Sequence, residues 1–94
     1  AKMVHFDDVE DFTLFPNPAN GFVNVNLETV IGKEDVTIQM FNNLGLKVKQ
    51  FDLGEVSSRY YQMDIREVPE GHYIVWLNVP GKRAIAKTMV IGKI

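Results

Sequence analysis

The sequence predicts an all-β domain in which about seven short antiparallel strands form two packed sheets. Two observations lead to this prediction. Apolar and polar residues alternate with the period of two that is typical of strands with one buried face. Glycine, proline and asparagine recur between these segments, where tight turns need them. No segment shows a helical period over the length of a helix, which argues against an α/β fold.

Seven segments make up the predicted strands. They are residues 12–15, 22–27, 36–41, 46–53, 60–65, 73–79 and 84–91. In the second, third and sixth segments the apolar positions share one face, and we expect those faces to form the core. Val25, Ile38 and Val75 lie near the centres of these three segments.

The connections contain the residues that turn geometry requires. Pro16-Asn17-Pro18 is expected to end the first strand, because proline has no amide donor. Gly45 is expected to take the left-handed position of a hairpin loop. The proline and glycine of residues 68–71 are typical of a type I turn.

One segment breaks the alternation. In residues 46–53, the side chain of Phe51 falls on the opposite face from Leu46 and Val48. A bulge inserts one extra residue and so reverses the faces of all positions that follow it. We therefore expect a bulge near residues 49–50.

Gly71 and Tyr73 refine the fold class. In immunoglobulin domains a tyrosine stands two residues before the second inter-sheet cysteine, and its hydroxyl anchors a corner of the chain. Here Val75 takes the cysteine's position as a plain core residue. The sequence therefore predicts an immunoglobulin-like β-sandwich, with the ring of Tyr73 buried and its hydroxyl hydrogen-bonded.

Length and charge limit the classes of function. Ninety-four residues suffice for one domain, and a net charge of −2 argues against nucleic acid as a partner. The charge is uneven, because an acidic cluster lies within residues 1–11 and the end of the chain carries Arg83, Lys87 and Lys93. We interpret residues 1–11 as an acidic linker from an upstream domain, and residues 12–94 as a domain of their own.

No pattern of catalytic or metal-binding residues is present in the sequence. There is no cysteine for a disulfide or a thiolate metal site, and no apolar stretch reaches the roughly 18 residues of a membrane span. His5 and His72 are far apart in sequence, and His72 is expected on an outer face. Ser57 and Ser58 lie outside any nucleophile motif, and the acidic cluster lacks the spacing of a calcium loop. We expect neither enzymatic activity nor a cofactor.

Aromatic residues suggest one alternative. Trp76, Tyr60, Tyr61 and Phe41 could line a sugar-binding face, as aromatic rows do in carbohydrate-binding sandwiches. The other interpretation is that these rings stiffen half-exposed strand surfaces. Their spread over different strands favours the second interpretation.

Four blocks of sequence, in order, resemble one family. Residues 14–19 contain Phe-Pro-Asn-Pro, residues 38–48 form a strand-turn-strand block around a glycine, residues 63–73 end in Gly-His-Tyr, and residues 87–90 read Lys-Thr-Met-Val. These blocks are similar to those of the type A C-terminal sorting domain of the type IX (Por) secretion system. The residues that match its motifs are Pro16, Asn17, Pro18, Gly45, Gly71, Tyr73 and Lys87.

Two departures from the family pattern are visible. Leu46 separates Gly45 from Lys47, where the family more often has glycine and lysine adjacent. The chain also continues through residues 91–94, a little past the usual stop.

The resemblance implies a function in export. Such domains stand at the C-terminus of cargo proteins of Bacteroidota-type bacteria. Translocon components recognise the folded domain in the periplasm and pass the cargo through the outer membrane, to the cell surface or the medium. A sortase-like peptidase typically removes the domain, and residues 1–11 are the expected place of cleavage because proteases need exposed backbone. The domain would be a substrate, with no cofactor of its own.

The last strand is the expected recognition element. The candidate recognition residues are Arg83, Lys87, Thr88, Met89, Val90 and Lys93. Their basic side chains are expected to be exposed and to meet an acidic surface, while an unpaired strand edge can be recognised by strand addition. Two other classes of function remain open: a fibronectin-like or carbohydrate-binding accessory module of a secreted enzyme, and a structural or adhesin repeat.

Overall fold

The computed structural model describes residues 12–92. A short 3-10 helix at Glu28–Val30 lies among seven strands, which confirms the all-β prediction. The strands are β1 (Thr13–Asn20), β2 (Phe22–Asn26), β3 (Val36–Asn42), β4 (Lys47–Gly54), β5 (Tyr60–Asp64), β6 (Gly71–Asn78) and β7 (Ile85–Ile91).

The strands form two sheets that share β1. The first sheet has the order β1-β2-β5 and the second the order β4-β3-β6-β7, and every pair within them is antiparallel. The end of β1 also pairs with the end of β7, in parallel, through Ala19 and Ile91. β1 therefore leaves one sheet and joins the other, which gives the continuous order β4-β3-β6-β7-β1-β2-β5.

β1 continues through Pro16-Asn17-Pro18 and reaches Asn20, so the prediction that this segment ends the strand is wrong. Its pairing with β2 is interrupted between Phe15 and Asn20, because the two prolines have no amide to donate. The strand continues because its far end finds a new partner in β7. The peptide bonds that precede the two prolines are both cis.

The core lies between the two sheets and includes the predicted apolar positions. Val25, Ile38 and Val75 are each 0% exposed, which confirms the assignment of the faces of β2, β3 and β6. Met89 and Ile91 complete the core from β7, and Phe12 is buried just before β1. Burying an aliphatic or aromatic side chain stabilises a fold by about 1.5–3 kcal/mol, so these faces determine how the sheets pack.

β4 contains the predicted break in alternation. Phe51 packs partly buried against the core, whereas Val48 is exposed. The residues on either side of Val48 pair with two adjacent residues of β3, so Val48 is the extra residue of a bulge. The bulge lies one residue before the predicted position, residues 49–50.

The turn between β5 and β6 differs from the prediction. The predicted turn was residues 68–71, but the hydrogen-bonded turn comes three residues earlier, where the amide of Val68 donates to the carbonyl of Ile65 at 3.0 Å. Asp64 explains the shift, because its carboxylate accepts the backbone amide of Arg66 at 3.1 Å. An aspartate that bonds to the backbone two residues later starts a turn by itself.

Candidate functional site

The opening and terminal motifs of the sequence meet in the structure. The side-chain oxygen of Asn17 accepts the backbone amide of Val90 at 3.0 Å, and its nitrogen lies 3.5 Å from the carbonyl of Thr88. Two residues further on, the carbonyl of Ala19 accepts the amide of Gly92 at 2.8 Å. The Asn17 side chain thus stands in for a backbone peptide group between the two prolines, chiefly as an acceptor, and it holds β7 against β1.

The side chains of β7 alternate between the core and the outer surface. Met89 and Ile91 are buried, and Lys87 shares their face, opposite the buried Val75 of β6. Lys87 is accordingly half-buried. Thr88 is exposed on the other face. The terminal motif is therefore not one surface, because its alternate residues point to opposite sides of the sheet.

The basic side chains of the candidate recognition group are also separated. Arg83 is exposed in the loop before β7, whereas Lys87 lies half-buried on the core-facing side of the strand. The expectation that the basic side chains are exposed is wrong for Lys87, because it occupies an inward position. Val90 is half-buried on the outward side, and Lys93 lies outside the described residues.

Tyr73 forms the predicted corner. Its ring is 7% exposed, and its hydroxyl donates to the carbonyl of Pro69 at 2.6 Å, four residues upstream. Gly71 begins β6 with φ +151°, a conformation that favours glycine. A Cβ at Gly71 would lie 3.7 Å from the Tyr73 ring, so the tyrosine closes over the glycine backbone. This pair fixes where β6 begins.

Gly45 and Asn42 shape the β3–β4 hairpin. Gly45 has φ +82°, as predicted for the left-handed position. The Asn42 side-chain oxygen accepts the backbone amides of Leu44 at 2.9 Å and Leu46 at 3.0 Å. The apolar side chains of Leu44 and Leu46 remain 77% and 60% exposed at the tip. The amides of Leu44, Gly45 and Leu46 all donate to Asn42, so this residue orders the loop.

Asp64 and Arg66 form a bidentate ion pair. The guanidinium donates to both carboxylate oxygens, at 3.0 and 2.7 Å. These hydrogen bonds lower the pKa of Asp64 from 3.8 to about 2, and the carboxylate raises the pKa of Arg66. The Arg66 guanidinium also lies 5.0 Å from the centroid of the Phe22 ring. The pair belongs to the turn after β5 and not to the recognition group.

The four aromatics of the alternative sugar-binding interpretation lie on different surfaces. Trp76 and Phe41 occupy outward positions of the second sheet. Tyr60 faces outward from the first sheet, 5.9 Å from the ring of Phe15. Tyr61 is half-buried and packs against the core. No single row of these four rings exists.

The other candidate chemical groups are also dispersed. His72 is exposed on β6, as predicted, while His5 and the acidic cluster of residues 1–11 lie outside the described residues. Ser57 and Ser58 line an open cavity of about 230 Å³ beside acidic side chains. Within residues 12–92, no three histidine or acidic side chains come together in a way that could hold a metal ion.

The two packed sheets and the Tyr73 corner define an immunoglobulin-like β-sandwich domain. A solved structure of a DUF3244 family protein from Bacteroides vulgatus ATCC 8482, described as having an immunoglobulin-like β-sandwich fold, matches it with a TM-score of 0.71. The match covers 96% of this chain and 93% of that one, and 19% of the residues are identical, so it shows the fold alone. No curated protein matches the chain.

The family follows from the sequence motifs that this fold brings together. The sequence model of the secretion system C-terminal sorting domain matches residues 13–92, and the chain belongs to this family. The chain is therefore a sorting signal of the type IX secretion system, as its resemblance implied. None of the helices in residues 12–92 is long and apolar enough to cross a membrane.

Proposed function

We propose that this domain carries an upstream cargo protein across the outer membrane by presenting a folded signal to the type IX translocon. The observation that supports this proposal is the contact between Asn17 and Val90. It joins the opening motif of the family to the terminal one, although 73 positions separate them in the chain. The signal exists only in the folded domain, which fits recognition after folding in the periplasm.

The route of the cargo follows from this role. Translocon components bind the domain in the periplasm, and the cargo passes to the cell surface or the medium. A sortase-like peptidase then cuts within residues 1–11, ahead of the buried Phe12. Cleavage there leaves the sandwich intact, because every strand of residues 12–92 lies beyond the cut. The domain acts as a substrate of both the translocon and the peptidase and catalyses nothing itself.

The residues of the terminal motif have two kinds of role in this proposal. Met89 and Lys87 face the core side of β7 and keep the strand in register. Arg83 and Thr88 are exposed and can touch the translocon directly. Val90 contributes its amide to Asn17 and so links the two motifs.

Deletion of residues 12–94 from the full-length cargo tests the proposal. We expect the shortened cargo to accumulate in the periplasm, where cell fractionation detects it. The variant Arg83→Glu tests whether the charge of Arg83 contributes to docking. Reversing one exposed charge costs the fold little, so a loss of delivery would report on the contact itself. Normal surface delivery of the deleted form would overturn the proposed function. Normal delivery of Arg83→Glu would remove only the electrostatic contact at that residue.

A further inference from the structure

The outward positions of β3, β6 and β7 contain no aspartate, glutamate, lysine or arginine. We call this surface the neutral face. Its apolar members are Phe41 and Ile74, which pair across β3 and β6, Trp76 and Ala86, which pair across β6 and β7, and Val90, which lies opposite His72 and diagonal to Ile74. Charged residues make up 23% of the chain, so three neighbouring strands without one on their solvent side need an explanation. Contiguous apolar surface of this kind marks a site of interaction.

The outer surface of the first sheet shows a different arrangement. Two of its exposed aromatic rings, those of Tyr60 and Phe22, have one of the chain's own arginines against them. Arg59 lies 5.4 Å from the centroid of the Tyr60 ring, and Arg66 lies 5.0 Å from that of Phe22. Both arginines are also ion-paired, to Glu28 and Asp64. The outer surface of the first sheet thus carries arginines that contact its aromatic rings. The outward positions of the neutral face include no lysine or arginine that could make such contacts.

Two side-chain amides lie on the neutral face itself, at Gln39 of β3 and Asn78 of β6. Asn78 donates to Gln39 at 3.2 Å, and Gln39 donates to Gln50 of β4 at 3.2 Å. Charge begins only at the outer edge of the sheet, where Gln50 contacts Asp52 and Lys47. The amides are ordered by one another before any partner arrives. A partner that binds here therefore has few unsatisfied amide groups to desolvate.

We propose that the neutral face is the surface by which the domain docks on an uncharged, apolar surface of the export machinery. This inference rests on the proposed function and names the kind of partner for it. A charged partner surface would lose its hydration against the neutral face and find no counter-charge there. Aliphatic, aromatic and amide side chains of a partner carry no charge, so they would not lose the hydration of an ion. Recognition is then by shape and apolar contact, and Lys87, on the core-facing side of β7, lies outside the neutral face.

The size of the neutral face favours a transient partner over a second copy of the chain. Strands lie about 4.8 Å apart and rise about 3.3 Å per residue, so three strands of seven or eight residues cover about 350 Å². A stable dimer buries about 800 Å² on each partner. The neutral face is too small for a stable dimer, but its size suits a transient contact with export machinery that must release each cargo.

Two single substitutions on the neutral face and one matched control test the proposal in the full-length cargo. Ile74→Lys and Ala86→Lys each add a positive charge at an exposed position of the neutral face. Gln62→Lys adds the same charge at an exposed outward position of β5, in the other sheet. Thermal unfolding of each purified cargo confirms that the domain is folded. Fractionation then measures the ratio of cargo on the surface to cargo in the periplasm.

We expect the surface-to-periplasm ratio to fall about tenfold or more for Ile74→Lys and Ala86→Lys, and to stay within about twofold for Gln62→Lys. One contrary result is normal delivery of both face variants while deletion of residues 12–94 blocks export. That result overturns the docking role of the neutral face and leaves the proposed function standing. Export that survives the deletion contradicts the proposed function itself. An equal loss with Gln62→Lys, or a dimer in sedimentation that Ile74→Lys dissociates, also overturns the inference.

Discussion

The side-chain oxygen of Asn17 accepts the backbone amide of Val90 at 3.0 Å and so joins the first strand to the last. Proline on each side of Asn17 removes the backbone donors of that stretch of β1. A side-chain amide carries both an acceptor and a donor, so it can stand in for a backbone peptide group. The contact explains why asparagine stands between the two prolines in a strand that changes sheets.

Replacement of Asn17 by alanine should lower the free energy of unfolding by about 0.5–1.5 kcal/mol, the usual net value of one hydrogen bond. The amide of Val90 should also exchange faster with solvent, because its acceptor is gone. Urea unfolding measures the first effect, and hydrogen exchange followed by NMR measures the second. Asn43→Ala, at an exposed hairpin position, is the control and should stay within about 0.5 kcal/mol. Unchanged exchange at Val90 would contradict the contact.

Tyr73→Phe should cost about 1 kcal/mol and leave the fold intact, since it removes only the hydroxyl that donates to Pro69. The ring stays buried in this variant. Tyr60→Phe makes the same chemical change at a ring that is 52% exposed, and it should be close to neutral. Chemical denaturation of both variants makes the comparison. Equal costs for the two would mean that the Tyr73 hydroxyl contributes nothing specific.

Local pattern in the sequence predicted the sheets, the core faces and the Tyr73 corner, because alternation and corner spacing are properties of short segments. It missed the Asn17–Val90 contact, since that depends on which distant strands become neighbours. The prediction for Lys87 was wrong for an identifiable reason. Lys87 stands two and four residues before Met89 and Ile91, so the alternation already placed it on their core-facing side, but its charge led to the opposite expectation.

Charge reversal at Lys87 should destabilise the domain more than charge reversal at Arg83. Lys87→Glu places a carboxylate on the core-facing side of β7, opposite the buried Val75, and we expect a loss of about 1–3 kcal/mol. Arg83→Glu changes an exposed loop and should cost less than about 0.5 kcal/mol. Urea unfolding compares them. Equal stabilities would show that the Lys87 side chain lies in solvent.

The Asp64–Arg66 pair should stabilise the fold in a pH-dependent way. The folded-state pKa of Asp64 is about 2, below its ordinary value of 3.8. Its contribution is therefore fully present above about pH 4 and is lost as the pH falls towards 2. Asp64→Asn should weaken the fold slightly at pH 7, and the difference should vanish near pH 2. NMR titration should show the pKa of Asp64 rising in Arg66→Gln, and an unchanged pKa would contradict this cause.

Transfer of the domain to an unrelated protein tests whether the domain alone is sufficient as a type IX sorting signal. Residues 1–94 would be fused to the C-terminus of a reporter that normally stays in the periplasm of a bacterium with a type IX system. A matched fusion carries Ile38→Asp, which buries a charge in the core and should unfold the sandwich. Surface labelling measures where each reporter ends.

We expect the intact fusion to appear on the surface or in the medium, and the Ile38→Asp fusion to remain in the periplasm. The intact fusion should also remain there in a strain without the translocon. A folded, intact fusion that stays in the periplasm of the competent strain would contradict the account.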